Sequence, residues 1–121
     1  MTHAGSILIV EDDDDVREAL AVYFELEGYS VVQAHDGAEA LAALRTRTDI
    51  CLILLDLFMP VMNGFEFRAE QLRDPALAEV PVVVVSADIA TVQKAAALGA
   101  VDSIVKPIDF GRLRNTVEQH C

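Results

Sequence analysis

The stretch Cys51-Leu52-Ile53-Leu54-Leu55-Asp56-Leu57-Phe58-Met59-Pro60 sets an apolar run directly against a carboxylate. A short apolar run that is continuous rather than alternating reads as a strand covered on both faces, as in a parallel sheet. The acid that closes it is costly to desolvate, so a metal, a cation or hydrogen-bond donors are expected around Asp56. Similar runs occur at Ile7-Leu8-Ile9-Val10 and Val82-Val83-Val84-Val85, with further strands predicted around Val31-Val32 and over Val101 to Val105.

Helical spacing fills the intervals. Val16, Ala19, Leu20, Tyr23 and Phe24 share one face, and Gly28 is placed to stop that helix. Asp36 with Glu39, and Asn63 with Glu66, have the spacing of reciprocal N-terminal caps, ahead of Leu41 and Leu44 in one case and Phe67 and Leu72 in the other. Asp88 is predicted to start a helix that runs through Val92, Ala96 and Leu98 to Gly99, and Asp109 one bearing Phe110, Leu113 and Val117. Strand and helix therefore alternate through residues 1–121 as a single domain, which predicts an open, doubly wound α/β sandwich.

In such sheets ligands gather outside the carboxyl ends of the strands. The residues there are Glu11 and Asp12, then Asp56, Ser86 and Lys106. Crowded carboxylates need a cation to stay ionised, and a ligand set of oxygens without His or Cys suits a hard ion, Mg²⁺. A carboxylate beside Mg²⁺, with a lysine and a hydroxyl facing it, suits nucleophilic attack on phosphorus: Asp56 would form an acyl phosphate and Ser86 would donate to it. Asp13, Asp14 and Asp15 are assigned instead to the start of the first helix, where its dipole favours acids.

Twenty acidic and nine basic residues give a net charge of −11, which disfavours direct nucleic-acid binding and anionic membranes. No signal peptide or membrane anchor is read at the N-terminus, so the cytoplasm is expected. Two cysteines do not make a disulfide framework: Cys51 reads as a buried free thiol and Cys121 as a chain-end residue. His3, His35 and His120 are expected at the surface, Met59 and Met62 to pack their loop, and Ala42-Ala43 and Ala95 to Ala97 to pack closely on the sheet, with a shallow partner surface beside Lys94.

Four segments together resemble the receiver domain of two-component response regulators: Ile7 to Asp12, Leu54 to Gly64, Val85-Ser86-Ala87 and Val105-Lys106-Pro107. The resemblance spans essentially the whole chain and implies a flavodoxin-like five-stranded sheet of order 2-1-3-4-5. It implies phosphorylation of Asp56 by a histidine kinase or histidine phosphotransfer protein. Mg²⁺ would sit on Glu11, Asp12, Asp56 and the backbone carbonyl of Phe58; Lys106 would contact the phosphoryl group and precede a cis proline. Output would pass to a protein target through the face formed by helix 4, strand 5 and helix 5, from a monomer or a phosphorylation-dependent dimer, with self-dephosphorylation as the only turnover.

The sequence departs from the family at Ser103, where receivers usually carry an aromatic side chain that turns inward. That departure supports an alternative, a pseudo-receiver interaction module whose output is altered or independent of phosphorylation. Phe58 and Asp88 flank the expected path of a hydrolytic water, one screening it and the other able to orient it. An aspartyl-nucleophile phosphatase of the haloacid-dehalogenase type would need a second Asp two residues after Asp56; Phe58 stands there, which argues against such an enzyme.

Overall fold

The structure, a computed structural model, describes residues 5–121, apart from the side chains at 91 and 92. His3 and the Val92 side chain therefore lie outside the described residues. In chain order the elements are β1 (Ser6–Val10), α1 (Asp14–Leu26), β2 (Ser30–Ala34), α2 (Gly37–Thr46), β3 (Ile50–Asp56), α3 (Gly64–Arg73), β4 (Val82–Ser86), α4 (Ile89–Lys94), a 3₁₀ turn (Ala95–Leu98), β5 (Asp102–Val105) and α5 (Phe110–His120). All strands are parallel and the sheet order is β2-β1-β3-β4-β5. This is the doubly wound, flavodoxin-like arrangement expected from the sequence.

The central strands are apolar on both faces because both faces are covered. Leu8, Val10, Ile53, Leu55, Val82 and Val84 pack with Leu41, Leu44 and Phe67 on one side. Ile7, Ile9, Leu52, Leu54, Val83 and Ile104 pack with Leu20, Phe24, Leu113 and Val117 on the other. Each fully buried Leu, Ile or Phe contributes about 1.5–3 kcal/mol, against about 0–1 kcal/mol for an exposed ion pair. The apolar layers, not the surface charges, hold the rim of the sheet in place.

Local signals set the helix ends. Asp13 accepts from the backbone N–H groups of Asp15 and Val16 at 2.9 and 3.1 Å. Asp36 accepts from Glu39 N–H at 2.8 Å, and Asp109 from Arg112 N–H at 3.1 Å. Asn63 and Glu66 form the full reciprocal cap, at 2.9 and 3.1 Å. Gly28 and Gly99 take positive φ, at 94° and 71°, where glycine avoids a Cβ clash.

Several expectations are corrected. The helix predicted from Asp88 to Gly99 stops at Lys94 and continues only as a 3₁₀ turn, the tighter winding common at helix ends. Val101 precedes β5 rather than starting it, although its N–H still donates to Val82 O at 2.9 Å. Leu72 is exposed, whereas Arg68 and Gln71 turn inward with Phe67. Ala95 packs closely, but Ala42, Ala96 and Ala97 are exposed. Exposed His35 pairs with Glu39 at 2.7 Å, and His120 is exposed as expected. Met59 and Met62 pack against the core as expected.

The largest correction concerns the cysteines. Cys51 and Cys121 are not free: they form a disulfide across a sequence separation of 70, with Cα atoms 5.5 Å apart. A helix packed on a parallel sheet runs opposite to the strands, so the end of α5 returns to the edge where β3 begins. Two lone cysteines carry no spacing signal for that meeting.

Candidate functional site

The sheet register assembles the rim. Val10 pairs with Leu55, which sets Glu11 beside Asp56. Asp56 pairs with Val85, which sets Ser86 next to it, and Ser86 pairs with Val105, which brings up Lys106. The Lys106 side chain crosses this rim and pairs with Glu11 Oε1. Carboxylate oxygens of Glu11, Asp12 and Asp56 lie within 4.8 Å of one another. The five predicted side chains thus share one end of the sheet, with Glu11, Asp56 and Ser86 buried and Asp12 exposed.

The charges are unevenly satisfied. Burial, joined by the hydrogen bond and charge of Glu11, pushes the Asp56 carboxyl up to about 8, against the smaller opposing effects of the Lys106 charge and the Phe58 N–H. Burial also acts against ionising Glu11, but hydrogen bonds from Asp56 and Lys106 and the Lys106 charge hold its carboxyl below the usual range. Burial lowers Lys106, yet its bond to Glu11 and the nearby carboxylates raise it on balance. Negative charge is therefore favoured on Glu11 and disfavoured on Asp56. Among the described residues, Glu11 Oε2 is buried with no hydrogen-bond partner. An orphaned, anionic oxygen beside two further carboxylates fits a hard cation.

Backbone features hold the loops around this point. Phe58 N–H donates to Asp56 Oδ1 at 3.3 Å, while its ring is exposed. Ser86 Oγ accepts the Asp88 N–H at 3.3 Å, which leaves the hydroxyl hydrogen free to donate elsewhere. Asp88 is exposed and its Oδ1 accepts Ala90 N–H at 2.9 Å at the start of α4. The Lys106–Pro107 bond is cis, as expected. Gly64 donates its N–H to Leu57 O at 3.0 Å, and a Cβ there would sit 2.6 Å from Asp56 O.

Two supports escaped the sequence reading. Arg17 Nη1 donates to Glu11 O at 2.8 Å and so fixes the backbone of the acidic loop. Its signal was a lone cation three residues after Asp14, to which Nη2 also donates at 2.6 Å. Arg68 Nε donates to Leu98 O at 2.9 Å and Nη1 to Gln71 Oε1 at 2.7 Å, tying α3 to the 3₁₀ turn. Nothing in an amphipathic pattern announces an inward Arg. Ser103 lies on β5 beside a groove of about 360 Å³ lined by Gln93, Ala95, Ala96, Ala100 and Asp102.

Three acids, a hydroxyl and a lysine thus meet at the carboxyl rim of a flavodoxin-like sheet of order β2-β1-β3-β4-β5. The chain belongs to the response regulator receiver domain family, whose model matches residues 7–118. It is similar to the solved chemotaxis protein CheY4 of Vibrio cholerae, with TM-score 0.87, 28% identity and coverage of 98% of this chain and 100% of that one. It is also similar to the response regulator TrrA of Thermotoga maritima, solved in complex with Mg²⁺-BeF, with TM-score 0.86, 26% identity and coverage of 97% and 99%. The regulatory protein AtoC of Escherichia coli K12 is 32% identical over 124 residues, covering 98% of this chain and 26% of that protein. The chain spans only 17% to 52% of the length of curated relatives it matches.

Receiver domains are signalling modules of two-component systems, and this chain is essentially such a domain. Among the described residues no helix is long and apolar enough to cross a membrane.

Proposed function

We propose that this chain is a phosphorylation switch of a two-component or phosphorelay pathway, with Asp56 as phosphoacceptor. The observation that carries the reading is Glu11: one oxygen on Lys106, the other buried without a partner, and Asp56 alongside. Glu11, Asp12, Asp56 and the Phe58 carbonyl are the groups that would hold Mg²⁺. Bound there, Mg²⁺ would supply positive charge opposite the phosphoryl oxygens and favour the ionised form of Asp56.

The donor is a histidine kinase or a histidine phosphotransfer protein. An Asp56 carboxylate oxygen attacks phosphorus, the P–N bond of the donor phosphohistidine breaks, and its electron pair returns to the imidazole. Lys106 leaves or shares Glu11 to meet the charge on the phosphoryl group, and Ser86 donates its hydroxyl hydrogen to a phosphoryl oxygen. Hydrolysis reverses the state when water attacks phosphorus and Asp56 departs as carboxylate. We assign control of that step to screening by Phe58, since Asp88 Oδ1 already accepts Ala90 N–H, so Phe58→Ala is expected to hydrolyse faster. Equal lifetimes would remove the screening role.

Output is a population shift, in which the phosphoryl group favours one arrangement of the α4, β5 and α5 face for a protein target. The protein acts in the cytoplasm, as a monomer or a dimer formed on phosphorylation, without direct contact with nucleic acid or membrane. A second reading, a pseudo-receiver with altered or phosphorylation-independent output, is favoured by Ser103 and the open groove beside it.

Intact-mass measurement after acetyl phosphate treatment, with and without Mg²⁺, separates the two. A single Mg²⁺-dependent phosphoryl gain, absent in Asp56→Asn, supports the switch. No gain from acetyl phosphate or from a histidine kinase leaves the interaction module.

A further inference from the structure

Beyond the acidic rim, the Cys51–Cys121 pair is a reactive feature that phosphoryl transfer does not use. Both residues are half-buried rather than sealed, so small thiols can reach them. Each redox state is accommodated. In the oxidised state the Cα atoms are 5.5 Å apart, an ordinary span for a disulfide. Ser6 O lies 3.4 Å from Cys51 Sγ, so a thiol formed there on reduction has an acceptor within reach. The pocket is also cut to the sulfur: a Cβ at Gly5 would lie 2.7 Å from Cys51 Sγ.

What the bond would control follows from how α5 is held. Leu113, Thr116 and Val117 are the buried residues of that helix. After Val117, Glu118, Gln119 and His120 are exposed, and only Cys121 returns to the apolar cluster under the sheet. Cys121 N–H closes the last turn on Val117 O at 2.8 Å. Apart from the exposed Glu118, which pairs with Arg114 of the same helix at 3.8 Å, the final turn of α5 is thus anchored through a cysteine bonded to β3. Helix ends fray unless tied down, so loss of this tie frees the turn.

We propose that Cys51 and Cys121 form a reversible thiol–disulfide switch that fastens the end of α5 to β3, a redox input separate from the acidic rim. The oxidant is a low-molecular-weight disulfide such as oxidised glutathione. The thiolate of one cysteine attacks it and expels one glutathione thiolate, which takes a proton. The second cysteine then attacks the mixed disulfide and expels the second glutathione. Two cysteine thiols are oxidised and one glutathione disulfide is reduced to two thiols. Excess reduced glutathione runs the same steps backwards.

The test uses the whole chain in a series of oxidised-to-reduced glutathione ratios, quenched with a maleimide and read by intact mass. Hydrogen exchange is then followed at the amides of residues 118–121 in each state, with Cys121→Ser as a control that cannot close the bond. The expected result is a reversible loss of both alkylation sites, with exchange at the last turn at least about tenfold slower in the oxidised form. Cys121→Ser should exchange at the fast rate in every mixture. Absence of an intramolecular bond at all ratios, a bond that reduced glutathione cannot open, or equal exchange in the two states would each overturn the switch.

Discussion

Replacing Gly64 by Ala gives a sharp test of how the acceptor strand is joined to α3. The added Cβ would lie 2.6 Å from Asp56 O, 2.7 Å from Leu57 Cα and 2.8 Å from Leu57 Cδ2. Two of these are backbone atoms, so no rotamer change relieves them. Overpacking of this kind costs about 1–3 kcal/mol. Stretching the 3.0 Å bond from Gly64 N–H to Leu57 O adds to that cost, at about 1 kcal/mol for a hydrogen bond lost outright. Ala returns at most about 1 kcal/mol through helix propensity. The balance is a net loss of about 2 kcal/mol, together with slower phosphorylation, because the atom displaced belongs to Asp56. Gly111→Ala is the matched control: it also lies in a helix, but its Cβ meets only Asp109 Oδ1 at 3.4 Å. There the propensity gain should prevail, at about 0.5–1 kcal/mol of added stability. Urea unfolding followed by far-ultraviolet circular dichroism measures both. If Gly64→Ala matches the wild type, or if both variants move in the same direction, the close approach of α3 to the acceptor strand does not constrain the site.

Other predictions concern charge and strain. Without divalent metal, the Asp56 carboxyl titrates at about 8 rather than 3.8, so protonation supports the fold. That support is full below the unfolded value and is lost as pH rises through the folded one. The stability difference between wild type and Asp56→Asn should therefore move in favour of the variant from pH 4 to pH 8, and Mg²⁺ should restore the wild type; urea midpoints across pH check both. Arg68→Met removes the donors to Leu98 O and Gln71 Oε1 and should cost about 2–3 kcal/mol, measured by the same unfolding. Val61 holds φ at 66° in an exposed three-residue turn closed by Met62 N–H on Pro60 O at 2.7 Å. A β-branched residue is strained there, so Val61→Asn should raise the unfolding free energy by about 1 kcal/mol.

Which parts of this molecule the sequence disclosed follows from the physics each part uses. Apolar runs, caps and strand ends are local, and the Asn63 and Glu66 pair, the Asp109 cap and the acid closing β3 could all be read directly. The rim could be read because a doubly wound sheet sends every strand's carboxyl end to one side, so Glu11, Asp56, Ser86 and Lys106 needed only the correct elements. The Cys51–Cys121 bond, by contrast, depends on where an antiparallel helix ends over another strand. Arg68 and Gln71 depend on the carbonyls of Leu98, Leu77 and Val80, which come within their reach only once α3 has packed. The short α4 was hidden for a related reason: the Ala95 to Leu98 segment suits either helical winding, and packing decides between them.

The most direct measurement is the location of the phosphoryl group. The Mg²⁺-loaded chain, phosphorylated by acetyl phosphate, is treated with borohydride, which reduces an aspartyl phosphate to homoserine, and the peptides are sequenced by mass spectrometry. Homoserine at residue 56, formed only with Mg²⁺ and abolished by removing Lys106, is the expected result. Homoserine elsewhere on the acidic rim, or label on a residue outside it, would contradict the assignment of Asp56 as the acceptor.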